Sequence, residues 1–223
     1  MGSVLHLAQT PHTCQPRAGR GHDLKTQRPI LRRAPAATAV QLPGQIPPLL
    51  RRIYANRNVA SGAELDYSLS ALLPFTELKG IGQAARLLAD AMAADQHILI
   101  IADYDADGAT ACALAVRGLR GCGAKHVSYL VPDRMRDGYG LQPPLAEQAA
   151  KAGAQVLVTV DNGISAIEGV ARARELGMQV LVTDHHLPGA SLPAADVIVN
   201  PNQPGDVFPG KCTAGVGVMF YVL

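Results

Sequence analysis

The chain has 223 residues, 48% hydrophobic and 17% charged, which suits one compact domain with an appendage. No window approaches the roughly 18 apolar residues of a membrane span. The N-terminus lacks the apolar core of a secretory signal, and the four cysteines, Cys14, Cys112, Cys122 and Cys212, form no CxxC pair. A membrane protein, a disulfide framework and a zinc–cysteine site are set aside, and a reducing cytoplasm is the expected compartment.

The net charge of +2 hides an asymmetry. Residues 1–60 carry nine Lys/Arg and one acid, a net of +8, whereas 61–223 carry eleven Lys/Arg and seventeen acids, a net of −6. Residues 1–40, rich in Pro, Arg, Ala and Thr without a sustained period, read as a poorly ordered basic arm that is either solvated or laid on nucleic acid. Residues 41–94 read as a helical segment. A short proline-opened helix is expected over 44–57. A second stretch starts at Ser61 with a capping-box acid at Glu64 and stops at Pro74. Over 80–94, Ile81, Ala84, Ala85, Leu88 and Met92 recur at helical spacing.

From His97 short apolar runs alternate with helical patterns. Strands are expected at 97–102, 126–131, 155–160, 178–183 and 196–200, and helices at 108–120, 143–152 and 164–176. Gly153 and Gly177 stand at helix stops. The alternation predicts an α/β fold, a parallel β-sheet flanked by helices, over 95–223.

Acids collect after the strands. "DYDADGAT" places Asp103, Asp105 and Asp107 behind the first strand, and Asp133 and Arg134 follow the second. Asp161-Asn162-Gly163 follows the third, and Asp184-His185-His186 the fourth. All these positions lie at the carboxyl edge of a parallel sheet, where such folds bind ligands. One acid after a strand is usually a helix cap. Four such ends with two adjacent histidines describe a cation site. Carboxylates alone suit Mg²⁺ or Ca²⁺, and carboxylates with imidazole suit Mn²⁺, Fe²⁺ or Zn²⁺. The number of donors suits a two-ion centre for phosphoryl chemistry.

Asp105 and Asp107, if locally extended, share a side and reach neighbouring ions. Gly108 opens a helix whose free N–H groups face a phosphate. Arg134 offers a guanidinium fork, as Arg136 does more weakly. Tyr139, between Gly138 and Gly140, presents a ring to a base. Gly215 and Gly217 open an apolar helix and either admit a phosphate or serve helix packing. His97 and His126 belong to the opposite edge. Cys112 and Cys122 read as core or near-core.

With these residues assembled, the chain resembles the DHH-family phosphoesterases, whose name-giving triplet stands as Asp184-His185-His186. The stretches "DYDADGAT", "YLVPDRMRDGYGL", "VTVDNGIS", "VTDHHLPG", "IVNPNQPGDVFPGK" and "AGVGVMFY" occur in order and carry the likeness over about 40–223. Ala102 and Asp133 depart from the family's usual glycine and asparagine. The resemblance points to the bacterial branch that hydrolyses single-stranded DNA from the 5′ end in recombination and repair. It implies Mn²⁺ or Mg²⁺ as cofactor, two ions, and other repair proteins as partners. Asp103, Asp105, Asp107, Asp161, His185 and His186 match metal-site positions. Asp105, Asp107, Asp161, His185 and His186 would carry catalysis, with Asp184 supporting its neighbours. Arg134, Gly108, Tyr139, Gly215 and Gly217 are the expected substrate contacts. The resemblance further implies an N-terminal portion of a longer enzyme. The alternatives are a catalytically incomplete piece, or a phosphodiesterase of the same fold acting on short oligonucleotides or cyclic dinucleotides.

Overall fold

The computed structural model of the chain describes residues 42–133 and 135–223. The expected basic arm over 1–40 and the phosphate contact at Arg134 lie outside the described residues. The described chain falls into two compact units that divide between Tyr67 and Ser68.

In the first unit helix α1, Pro48–Ala55, is shorter than the expected 44–57. Pro47 precedes it and Pro48 fills its first position, where a missing N–H costs nothing. The capping box at Ser61 forms: Glu64 Oε1 accepts from the Ala60 and Ser61 N–H at 2.8 and 3.1 Å. It opens only a 3₁₀ turn, Gly62–Leu65, and in the second unit further single turns stand at Leu69–Ala71 and Phe75–Glu77. Ser and Asp side chains compete for backbone groups and are weak in helix interiors, so this Ser- and Asp-bearing stretch does not propagate an α-helix.

The second unit contains helix α2, Ile81–Ala93, and then the alternating region. Strands β1 (Ile98–Ala102), β2 (Val127–Leu130), β3 (Val156–Val160), β4 (Gln179–Thr183) and β5 (Val197–Val199) form one parallel sheet in the order β2-β1-β3-β4-β5. Helices α3 (Ala106–Gly121), α4 (Pro143–Lys151), α5 (Ile167–Glu175) and α6 (Gly215–Val222) accompany it.

Every residue of β1 and β3 is buried, which explains why these strands read as unbroken apolar runs. Alternation sorts their side chains between two cores. Ile98, Ile100, Ala102, Val156, Val158 and Val160 pack with residues of α2, α3 and α6. Leu99, Ile101 and Leu157 pack with those of α4 and α5. The sheet reverses its strand order between β1 and β3, so the ligand crevice of such a fold falls there.

Two sequence expectations need correction. Cys122 is exposed, as the C-cap of α3, while Cys112 is buried. Helix α5 starts at Ile167 rather than 164, after a turn in which the Ile164 N–H donates to Asp184 Oδ2 instead of entering the helix. Among the described residues no helix is long and apolar enough to cross a membrane.

Candidate metal centre

Ala102 pairs with Val160, so Asp103 and Asp161 leave the sheet side by side. Asp103 is buried and its Oδ1 accepts from the Tyr104 N–H at 2.7 Å. Asp105 is the N-cap of α3, with Oδ1 accepting from the Gly108 N–H at 2.9 Å. That corrects the reading of Gly108: its N–H belongs to Asp105 and is not free for a phosphate. A Cβ there would stand 2.5 Å from the Asp103 carbonyl oxygen, so glycine serves to lay α3 against the end of β1.

The chain turns helical at Ala106, so Asp105 and Asp107 do not alternate as in a strand. Asp107 faces α6 instead. Its Oδ2 accepts from the Gly215 N–H and its Oδ1 from the Val216 N–H, both at 2.8 Å. A carboxylate here satisfies two orphan donors and meets the positive end of the helix. The phosphate reading of Gly215 is corrected in turn, since its N–H is held by Asp107. Gly217 is a packing position, where a Cβ would lie 2.7 Å from Thr213 Cγ2.

Asp161 has φ +61°, a left-handed backbone that Asp and Asn tolerate better than most residues and that clusters at functional sites. Next to it, Asn162 Nδ2 donates to the Ile101 and Val160 carbonyls at 3.1 and 2.9 Å, tying together the tips of β1 and β3. The buried carboxylate of Asp184 accepts from Ile164 N–H (2.9 Å), His185 N–H (2.7 Å) and His186 N–H (3.2 Å). It also pairs with His186 Nδ1 at 2.7 Å. The bond from Ile164 holds the turn that delays α5. With Nδ1 engaged, Nε2 is the nitrogen His186 can offer a metal.

Two groups of donors result. One atom each from Asp103, Asp105 and Asp161 lie within 4.8 Å of one another, and so do atoms from Asp161, His185 and His186. Asp161 belongs to both. Ligands at about 2.0–2.5 Å from one ion are separated by no more than about 5 Å, so each set fits one cation. Asp161 Oδ1 lies 3.1 Å from His185 Nε2, yet it is buried without a hydrogen bond. Two electron-pair donors turned toward one point, unbonded to each other, are what a divalent cation needs. Asp107 Oδ2 stands 3.7 Å from His185 Nε2, at the margin of the second set.

The electrostatics agree. Among the described residues no lysine or arginine pairs with these carboxylates, and the basic side chains that approach them are His185 and His186. Burial, with Asp107 and Asp105 nearby, pushes the Asp161 carboxyl up to about 7. Burial works to raise the Asp184 carboxyl, but its hydrogen bonds from the His186 ring and the Ile164 and His186 amides outweigh this and hold it below the usual range. The bond to Asp184 lifts His186 to about 9. In the metal-free chain, Asp184→Asn is expected to bring His186 down from about 9 toward 6.5 in an NMR titration. An unmoved value would detach the two groups.

Tyr139 stands edge-on to Tyr104 and to His186, each at 6.3 Å between ring centroids. Burial and the facing Asp103 raise its phenol pKa. It borders a cavity of about 630 Å³ that is also lined by Gln142, Ile164, Ser165, His186 and Leu187. Arg136 turns away to a two-bond pair with Asp137, at 2.9 Å for each bond. His97 and His126 line a separate cleft with Lys125.

A parallel sheet with such a carboxylate–histidine edge is a candidate divalent-cation site, and the family model described as "DHH family, N-terminal domain" matches residues 97–223. The chain belongs to the DHH family. By sequence it is similar to the single-stranded-DNA-specific exonuclease RecJ of Salmonella typhimurium, 51% identical over 200 residues, covering 90% of this chain and 34% of that protein. RecJ of Escherichia coli is 50% identical over 193 residues, covering 86% and 33%. The chain thus spans about a third of the length of these curated relatives. Among solved structures it is similar to RecJ from Thermus thermophilus in complex with Mn²⁺, with TM-score 0.60, 34% identity, and 76% of this chain and 23% of that chain covered. A manganese-bound exonuclease RecJ gives 0.59 and 36%, covering 68% and 38%.

Proposed function

We propose that this chain carries the catalytic metal centre of a single-stranded-DNA exonuclease. It hydrolyses phosphodiester bonds from the 5′ end, in recombination and repair, in a bacterial cytoplasm alongside other repair proteins. The observation that carries the reading is the pair of donor sets sharing Asp161 at the carboxyl edge of the sheet. The similarity to RecJ proteins of named activity, two of them solved with manganese, supports it.

In this reading Asp103, Asp105 and Asp161 hold one ion, and Asp161, His185 and His186 hold a second. The all-oxygen set accepts Mg²⁺ or Mn²⁺, and the set with imidazole favours Mn²⁺. Two such ions, when bound, supply Lewis acidity at the phosphate and an activated water. Asp184 aims His186, and Asp107, held by the start of α6, closes the margin of the centre. The cavity beside His186 is of a size for the nucleoside part of a terminal nucleotide, with the Tyr139 ring against the base.

The test is incubation of the chain with 5′-phosphorylated single-stranded DNA and Mn²⁺, beside an equal-length duplex, a dinucleotide and a cyclic dinucleotide. Mn²⁺-dependent release of nucleotides from the 5′ end of the single strand is expected, with the duplex spared. Faster cleavage of either dinucleotide would replace the substrate by a short one. No hydrolysis of any of the four would overturn the proposal.

A further inference from the structure

The proposed metal donors His185 and His186 sit in an irregular turn after β4, and their hydrogen-bonding partners divide by kind. Their N–H groups go to Asp184. Their carbonyls go elsewhere, to the loop that follows β5. Asn200 Nδ2 donates to the His186 carbonyl at 3.0 Å, and Asn202 Nδ2 donates to the His185 carbonyl at 2.6 Å. Asn200 Oδ1 accepts from the Asn202 N–H at 2.7 Å, so the first asparagine orients the second. Asn202 Nδ2 also reaches the Lys211 carbonyl at 3.3 Å.

The far end of this loop is clipped. Lys211 Nζ bonds to the Pro201 carbonyl, to the Asp206 carbonyl at 3.0 Å and to Asp206 Oδ1 at 2.9 Å. Asp206 in turn accepts from the Phe208 N–H at 2.9 Å and the Lys79 N–H at 2.8 Å. A loop without regular structure is thereby fixed at both ends, with two amide groups presented to two carbonyls.

We propose that Asn200 and Asn202 are positioning residues for the histidine-containing cation set. They fix the main chain of His185 and His186 so that both rings converge with Asp161. The inference rests on the metal-centre reading above. The chemistry explains the residue type. Each site needs an N–H₂ donor toward a carbonyl, and Asn200 must also accept from a backbone N–H; an amide does both, while a carboxylate loses the donor. Partners that orient metal ligands typically carry about 10–100-fold of affinity when removed.

The experiment is Mn²⁺ titration of the chain by calorimetry, with pulsed EPR of the bound Mn²⁺ reading the modulation from imidazole nitrogen. Wild type, Asn202→Ala, Asn200→Asp and His185→Ala are compared, each with a urea melt. Asn202 is partly exposed, so its truncation keeps the test open if the buried Asn200 variant fails to fold. The expected result is at least about a tenfold loss of affinity in the imidazole-bearing class, with weakened nitrogen modulation resembling His185→Ala. The carboxylate class keeps its wild-type affinity. Equal weakening of both classes, or no change in either, overturns the positioning role. A folded wild-type chain that binds no Mn²⁺ overturns the metal-centre reading and this inference with it. Two normal wild-type classes that Asn202→Ala leaves intact overturn the inference alone.

Discussion

Asp161→Asn is expected to stabilise the metal-free chain at neutral pH and to abolish its Mn²⁺ binding. The two effects have one cause. Asp161 is 1% exposed, and this burial, with Asp107 and Asp105 nearby, pushes its carboxyl up to about 7. Its unfolded value is about 4. Between these values the native state holds the proton more tightly than the unfolded one, so stability falls as pH rises through that window. Below it the carboxyl is neutral in both states and no penalty exists. Above it the full penalty is present, on the order of 4 kcal/mol. Asparagine removes the charge, keeps the shape and tolerates the left-handed backbone at φ +61°. Urea melts at pH 5 and pH 8 check this: the wild type loses stability between them, and the variant loses much less. The same substitution removes the one donor common to both sets, so Mn²⁺ affinity drops by more than about 100-fold. A variant that keeps its Mn²⁺ would show that Asp161 is not shared.

Gly215→Ala is expected to damage the centre from the opposite side. A Cβ at this position would lie 2.5 Å from Asp161 Oδ1 and 2.6 Å from Asp161 Cβ, too close for any rotamer to relieve. Either α6 backs away and breaks its bonds to Asp107, or Asp161 moves and loses convergence with its partners. Overpacking of this kind costs about 1–3 kcal/mol. Thermal melts with and without Mn²⁺ separate the parts. The metal-free midpoint falls, and the upward shift on adding Mn²⁺, which follows from preferential binding to the native state, shrinks. A wild-type shift in the variant would mean that Asp161 is indifferent to α6.

The strands were legible because those buried on both faces carry almost nothing but apolar residues: "ILIIA" and "VLVTV" have no competing reading. The acids after them were legible as a group, because parallel topology sends every strand end to one edge. What each acid does was less so. Asp105 and Asp107 are two residues apart, but one caps its own helix and the other caps a helix from the end of the chain. No local pattern reports that second partner. Gly108 and Gly215 looked like phosphate-binding glycines because helix starts have free amides, and here side chains had already taken those amides. Asn200 and Asn202 lay inside a stretch noted for its family likeness, yet their hold on two carbonyls is visible only when β5 is placed beside β4.

The bond between Asp107 and Gly215 joins residues 108 positions apart. Contacts of such separation form late, after the intervening strands have paired. The acidic turn after β1 is therefore made early in synthesis, and the α6 amides that hold Asp107 reach it only later. The donors of the two sets come from the ends of β1, β3 and β4, so a cation held there would report that these three strands, far apart in the chain, have been put together.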